Sequence, residues 1–280
     1  MPPVFSRPCG TPRFPADVLL DIIPRVPRGT QHAMLLSSWA LHDLVAPILY
    51  RSMAVLFDHP RWGEKGWPDH YPLNLLGCLL LSLRHSDRKP WHRCYVYHIV
   101  TFSYVSYSTK ADRRAIPMLG EILRFCRVLR HLRIDVEQGS VDLTIDIFTR
   151  KSLIRIPTSP VVSVAFDCEP CDLLLLPRLQ SIRSSSAIVT EALMRYRRIA
   201  TVVIDDIPPR GEVLNNLLAI GGPVQARFLT RLSLPFYQDG TVVEGVLCAI
   251  ATTFPYLEHL SVYCVPAFVG RLFSVCARTL

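Results

Sequence analysis

No stretch of this chain is apolar enough to cross a membrane as a helix. Its most hydrophobic run, Leu73 to Leu83, is eleven residues long and is interrupted by Asn74, Gly77 and Ser82, against roughly 18 to 20 apolar residues for a span. The opening segment, MPPVFSRPCG, lacks the continuous apolar core of a secretory signal. Missing too are the glycine-framed motifs of nucleophile and phosphate chemistry: there is no G-x-S-x-G, no G-x-x-x-x-G-K and no G-x-G-x-x-G. The nine cysteines are odd in number and follow no framework spacing, which argues against a disulfide scaffold and for reduced thiols. These absences lead to the expectation of a non-catalytic protein of the cytoplasm, the nucleus or both, with no membrane partner.

Metal chemistry has little to work with. Cys168 and Cys171 form a single C-x-x-C around Glu169-Pro170. A structural zinc site takes four ligands, and no second closely spaced Cys/His pair stands near this one. His92, Cys94 and His98 alternate through an aromatic segment without ligand spacing. No metal and no cofactor are expected.

What the chain has in quantity is apolar residues and positive charge. Half of its 280 residues are hydrophobic, so a core is expected rather than disorder. The net charge of +8 raises the question of a polyanion. Arg124, Arg127, Arg130 and Arg133 recur every third residue, and Arg195, Arg197 and Arg198 cluster. No zinc finger, recognition helix or RNA-binding aromatic signature accompanies them, and a spacing of three also suits the exposed side of a helix carrying Phe125 and Leu129. Nucleic acid is therefore not the expected partner.

The most informative segment is Phe14 to Val55. Pro15 sits where the first turn of a helix tolerates a missing N–H, and Asp17 complements the positive helix end. Val18, Leu19, Ile22, Ile23 and Val26 then form one apolar stripe, cut short by Pro24 and Pro27. After an expected turn at Gly29-Thr30, the run Leu41, Leu44, Val45, Ile48 and Leu49 repeats the spacing in another helix, with Pro47 inside it. Two or three short helices of this kind do not bury all their apolar surface alone, so a partner is expected.

The segment resembles an F-box. The family's opening Leu-Pro, acidic residue and aliphatic pair are matched by Phe14, Pro15, Asp17, Val18 and Leu19. Its Ser-rich turn, Trp and Pro-x-Leu-Tyr-Arg-Ser ending are matched by Ser37, Ser38, Trp39, Leu44, Pro47, Leu49, Tyr50, Arg51 and Ser52. Ser38 stands where members carry a basic residue, and Pro24 and Pro27 where they continue the first helix. The resemblance implies that Pro15, Val18, Leu19, Ile22, Trp39 and Leu44 contact a Skp-type adaptor, which links to a cullin and a RING subunit.

Beyond a Pro- and Gly-bearing stretch over 58–72, an apolar triplet recurs. It appears at Tyr97/Val100/Phe102, Leu129/Leu132/Ile134, Val161/Val164/Phe166, Ile199/Val202/Ile204, Leu229/Leu232/Leu234 and Leu257/Leu260/Val262. A weaker copy, Leu179/Ile182, has Ser184 in third place. The starts at 97, 129, 161, 179, 199, 229 and 257 give spacings of 18 to 32 residues. Helical faces precede several triplets: Met118 to Cys126, Val189 with Leu193 and Tyr196, and Val242 to Ile250.

This repeated helix-then-strand order resembles an irregular leucine-rich repeat, and with the opening module the whole resembles the F-box proteins with such repeats found in fungi. The implied fold is α/β: a short helical F-box-like module followed by a leucine-rich-repeat solenoid, a curved parallel sheet with helices on the convex side. The expected organisation is a disordered 1–13, a helical module over 14–57, a linker over 58–72 and repeats over 73–280. The last of these is expected to be cut short, because an apolar helical pattern still runs near Leu280. A compact α/β domain with parallel strands remains the alternative fold.

Strand alternation sends the residues between the leucines outward. His131, Arg133, Asp135, Asp167, Asp205, Arg231, His259 and Tyr263 are thus the expected target-binding residues of a concave face, joined by Ser163, Thr201, Ser233 and Ser261. Asp135, Asp167 and Asp205 share one repeat position, an acidic edge that suits a basic segment of a partner. The implied function is the substrate-recognition subunit of an SCF-type ubiquitin ligase with an unknown protein target; the alternative is a repeat scaffold for protein interactions without ligase association.

Overall fold

The computed structural model describes residues 15–57, 71–86, 95–154, 175–195, 197–205, 225–237, 240–265 and 271–275. Several expectations lie outside the described residues: the disordered 1–13, almost all of the 58–72 linker, the Val161 triplet with Ser163 and Asp167, Tyr196, and the Cys168/Cys171 pair. The chain divides into two units, Met1–Ser52 and Met53–Leu280.

In the first unit Pro15 is the N-cap of α1 (Ala16–Ile22), with Asp17 in the first turn. Leu19 and Ile23 point into the unit and are buried, whereas Val18 and Ile22 on the adjoining face are exposed. The expected single stripe is therefore split between core and surface. A 3-10 turn (Ile23–Arg25) carrying Pro24 ends the helix. The expected turn at Gly29-Thr30 does not form, because those residues lie inside α2 (Arg28–Ser37). Pro27 explains the shift: with φ at −54 to −56° it starts a helix as Pro15 does, and its carbonyl accepts the Gln31 N–H at 3.0 Å. The buried Gln31 side chain then donates to Ile23 O at 2.8 Å and Val26 O at 3.2 Å, satisfying carbonyls that the broken helix leaves open. Ser38, in extended conformation, caps α3 (Trp39–Leu49) by accepting the Leu41 N–H at 3.2 Å. Such a cap stabilises by about 1 kcal/mol, which gives this serine a structural use where a basic residue was the expected type.

The second unit is α/β. Its eight strands, β1 (Ser52–Leu56), β2 (Thr101–Val105), β3 (His131–Asp135), β4 (Ser181–Ser184), β5 (Thr201–Ile204), β6 (Arg231–Tyr237), β7 (His259–Val265) and β8 (Arg271–Val275), lie in the sheet in chain order. Strands β2 to β7 pair in parallel, and β8 runs antiparallel to β7. Three expectations change here. Ser52–Leu56, placed at the end of the helical module by the sequence, is an edge strand. The weak Leu179 copy supplies a full strand, and β3 pairs directly with β4. Residues 271–275 extend the sheet rather than a helix.

Between the strands run α4 (Tyr71–Ser86), α5 (Thr109–Leu123), α6 (Val141–Arg150), α7 (Ala187–Met194), α8 (Gln225–Phe228) and α9 (Gly240–Thr253). Helix α4 touches α5, α5 touches α6 and α6 touches α7, so these helices neighbour one another in the same order as the strands. The α5–α6 approach is close: a Cβ on Gly120 would stand 3.0 Å from Ile147.

Alternation decides the core. Leu132, Ile134, Ile182, Val202, Ile204, Leu232 and Leu234 are buried, each worth roughly 1.5–3 kcal/mol, while His131, Arg183, Asp205, Arg231 and His259 are exposed. Ahead of each strand one carbonyl accepts two N–H groups of the next unit. Val100 O takes Arg130 and His131, Arg130 O takes Gln180 and Ser181, Gln180 O takes Ala200 and Thr201, Ala200 O takes Thr230 and Arg231, and Thr230 O takes Glu258 and His259, all at 2.8–3.1 Å.

A serine device recurs at strand ends. Ser106 Oγ accepts the Ser108 N–H at 3.3 Å, and Ser108 caps α5 through the Ala111 N–H. Ser184 Oγ accepts the Ser186 N–H at 3.1 Å and donates to Ile134 O at 2.6 Å, and Ser186 caps α7 through the Val189 N–H. Ser184 is thus no defect in a triplet but the residue that turns the chain from strand to helix. No helix among the described residues is long and apolar enough to cross a membrane.

Candidate functional site

Each unit carries its own candidate surface. On the helical unit the exposed apolar residues are Val18, Leu20 and Ile22 of α1, Leu36 of α2 and Trp39 at the start of α3, with Leu36 82 % and Trp39 62 % exposed. The Trp39 ring lies against that of His42, one turn on, at 5.7 Å between centroids. Of the six residues expected at an adaptor contact, Pro15, Val18, Ile22 and Trp39 are exposed and Leu44 is half-buried. Leu19, 9 % exposed, belongs to the unit's own core. Leu20 and Leu36 were not singled out from sequence; Leu36 sits beside Leu35, and only the helix phase separates the buried one from the exposed one.

On the sheet the in-register rows bring the expected residues together. One row runs Thr101, His131, Ser181, Thr201, Arg231, His259, and the next Ser103, Arg133, Arg183, Val203, Ser233, Ser261. Asp135 and Asp205 follow at the strand ends. An open groove of about 690 Å³ lies over β4 to β7, lined by Arg183, Thr201, Asp205, Arg231, Ser233, His259 and Ser261 among others. His131, Arg133 and Asp135 flank it on β3 rather than line it. Tyr263 belongs to β7, with its side chain outside the described residues, as Asp167 is altogether.

Of the expected acidic edge, the two described carboxylates, Asp135 and Asp205, are paired with arginines. Arg133 Nε donates to Asp135 Oδ2 at 2.6 Å, Arg133 Nη2 lies 3.6 Å from Asp205 Oδ2, and Arg183 Nε donates to that same oxygen at 2.5 Å. Both described carboxylates are therefore consumed in one chain of alternating charge across β3, β4 and β5. Burial pushes the Asp135 carboxyl above its usual range, opposed by the hydrogen bond and charge of Arg133. Both described carboxylates of the expected edge thus already face cations of the same sheet, and Asp167 lies outside the described residues. Arg183 was missed from sequence because its triplet lacked the third apolar residue, yet it follows Ile182 as Arg133 follows Leu132.

What stays open is the positive end. Among the described residues no acceptor pairs with the Arg231 side chain, and the buried Ser233 Oγ has no hydrogen-bond partner.

The arginines that suggested a polyanion are mostly engaged. Arg124 lies 3.5 Å from Glu121, Arg195 is 2.6 Å from Glu191, and Arg198 lies over the Phe228 ring at 5.0 Å. Arg197 is buried with its guanidinium on the carbonyls of Leu153, Leu175 and Leu193; burial lowers its pKa to about 10, so it remains cationic at neutral pH. The three-residue spacing from Arg124 to Arg133 is no helical face, because α5 ends at Leu123 and β3 begins at His131. Among the described residues no three His, Cys, Asp or Glu side chains gather as metal ligands. No protein-family model matches the chain, and no curated protein matches it.

Proposed function

We propose that the chain is the substrate-recognition subunit of an SCF-type cullin-RING ubiquitin ligase, with an F-box in 14–57 that binds a Skp-type adaptor and an irregular leucine-rich-repeat solenoid that binds the target protein. It acts as a receptor, not as a catalyst. The observation that carries the reading is the exposure of Val18 and Ile22 on α1 and of Trp39 at the start of α3, in a segment whose sequence matches the F-box pattern. Exposed apolar side chains of this size suit a surface that a partner covers. The repeat reading is supported by strands in chain order, by helices that neighbour one another in that order, and by the carbonyl that bridges each unit to the next.

A free-standing repeat scaffold is the second reading. It is favoured by the buried Leu19 and by the end of α1 at Ile22, which together shorten the apolar face available to an adaptor. Co-purification of a Skp-type adaptor with the intact chain and with a version lacking residues 1–52 separates the two. Recovery by the intact chain alone is expected; equal recovery by both, or none by either, favours the scaffold.

A further inference from the structure

We propose that the groove over β5 to β7 takes a discrete anionic group, a carboxylate or a phosphate monoester, presented by an extended acidic segment of the target protein. This rests on the reading of the exposed strand face as the target-binding face, and not on the adaptor.

Charge arrangement selects the sign. On the β3–β5 side every described charge has a counter-charge: Asp135 with Arg133, and Asp205 with Arg133 and Arg183. On the β6–β7 side Arg231 and His259 are register partners on adjacent strands, about 4.8 Å apart at the backbone, and both are exposed. No carboxylate among the described residues pairs with either. An anion placed between them meets a guanidinium fork and an imidazole, and Asp205, which also lines the groove, is engaged by Arg133 and Arg183 rather than by either.

A second observation points the same way. Ser233, two residues after Arg231 on the same face, is 8 % exposed and lines the groove, and its Oγ has no hydrogen-bond partner among the described residues. A buried hydroxyl left unsatisfied is destabilising, and a ligand oxygen reaching past Arg231 satisfies it. Ser261, its register partner on β7, adds a second hydroxyl to the same wall.

The number of free cations selects the ligand class. A nucleic acid draws its affinity from several neutralised phosphates at once, whereas here Arg133 and Arg183 are already consumed by carboxylates. One open arginine among the described residues of the groove, with a histidine and hydroxyls, fits a single anionic side chain, and the exposed strand rows fit an extended chain laid across them.

The test is fluorescence anisotropy of the full chain, without adaptor, against three versions of one short extended peptide: a central Glu pair, a central Gln pair, and a central phosphoserine. Binding of the Glu or phosphoserine version about tenfold tighter than the Gln version is expected, the size of one charge-assisted contact. Arg231→Gln brings the anionic peptides to the level of the Gln peptide, and His259→Gln weakens them in the same direction. Arg113→Gln, an equal charge change at an exposed position of α5, leaves them unchanged. Whichever anionic version binds tighter identifies the form of the group. Equal binding of all three peptides, binding of none, equal losses from Arg113→Gln and Arg231→Gln, or equal competition by a single-stranded oligonucleotide overturns the proposal. His259→Gln carries the test should Arg231→Gln fail to fold. Because adaptor capture is measured separately, a failed peptide test leaves the ligase reading standing, and a failed adaptor test leaves the groove.

Discussion

Arg183 on β4 donates to Asp205 at the end of β5, with Nε and Oδ2 2.5 Å apart, and this pair neutralises one carboxylate of the expected acidic edge. Arg133 reaches the same oxygen from β3 at 3.6 Å, so one carboxylate ties three strands. The free charge of the face is thereby left to Arg231 and its neighbours.

Asp205→Asn follows from that arrangement. All three side chains are 27–47 % exposed, and solvent screening limits the pairs, so the loss of stability in chemical denaturation is expected to stay under about 1 kcal/mol. The variant removes the Asp205 counter-charge of Arg183 and part of that of Arg133 beside the groove. Its affinity for an acidic peptide therefore rises, where a basic-partner surface would show the opposite change.

The pH dependence of Asp135→Asn has a definite sign. The folded carboxyl titrates above its ordinary 3.8 because it is buried, so between that value and the folded pKa the native state binds more protons than the unfolded chain. Wild-type stability contributed by this group falls as pH rises through the window. The variant lacks the titration, so its stability relative to wild type improves from pH 4 to pH 7, as urea unfolding at the two pH values will measure. A constant difference contradicts the assignment.

The strand positions were readable because their determinant is local. The triplets Leu129/Leu132/Ile134, Ile199/Val202/Ile204 and Leu229/Leu232/Leu234 announce both a strand and which residues face outward, and Arg133, Asp205 and Arg231 followed from alternation alone. The pairing of Arg133 and Arg183 with Asp205 was not readable, since it depends on β4 lying between β3 and β5. Nor was the split of Val18 and Ile22 from Leu19 and Ile23, because neighbouring phases of one apolar stripe differ only in what packs on them. Helix α6 went unnoticed: Val141, Thr144 and Phe148 are its buried residues, and a threonine among them dilutes the period. The pair Ser106-x-Ser108 and Ser184-x-Ser186 was a usable signal that alternation alone does not expose.

Ser184→Ala removes a bond to Ile134 O and an acceptor for the Ser186 N–H, both in the buried strand-to-helix corner. A loss of about 1–3 kcal/mol is expected. Ser38→Ala, which removes only an exposed cap of α3, is expected to cost about 1 kcal/mol. Thermal unfolding of the two variants under one condition checks the order.

Arg197→Met keeps the apolar stem and strips the guanidinium from the carbonyls of Leu153, Leu175 and Leu193. Removing the buried cation relieves its desolvation, but the carbonyls lose their donor, and a net loss of about 1–3 kcal/mol is expected. Chemical denaturation measures it; a stability equal to or above wild type shows that desolvation outweighs the carbonyl bonds.

The central claim, that the helical unit docks on a Skp-type adaptor through its exposed apolar face, is tested most directly by calorimetric titration of the adaptor into the full chain and into Val18→Asp/Ile22→Asp. Both positions are exposed, so the double variant is expected to fold, with unchanged circular dichroism. Saturable binding by the wild-type chain is expected, with a loss of at least about tenfold in affinity in the variant. Equal affinity for both, or no heat of binding with either, contradicts it.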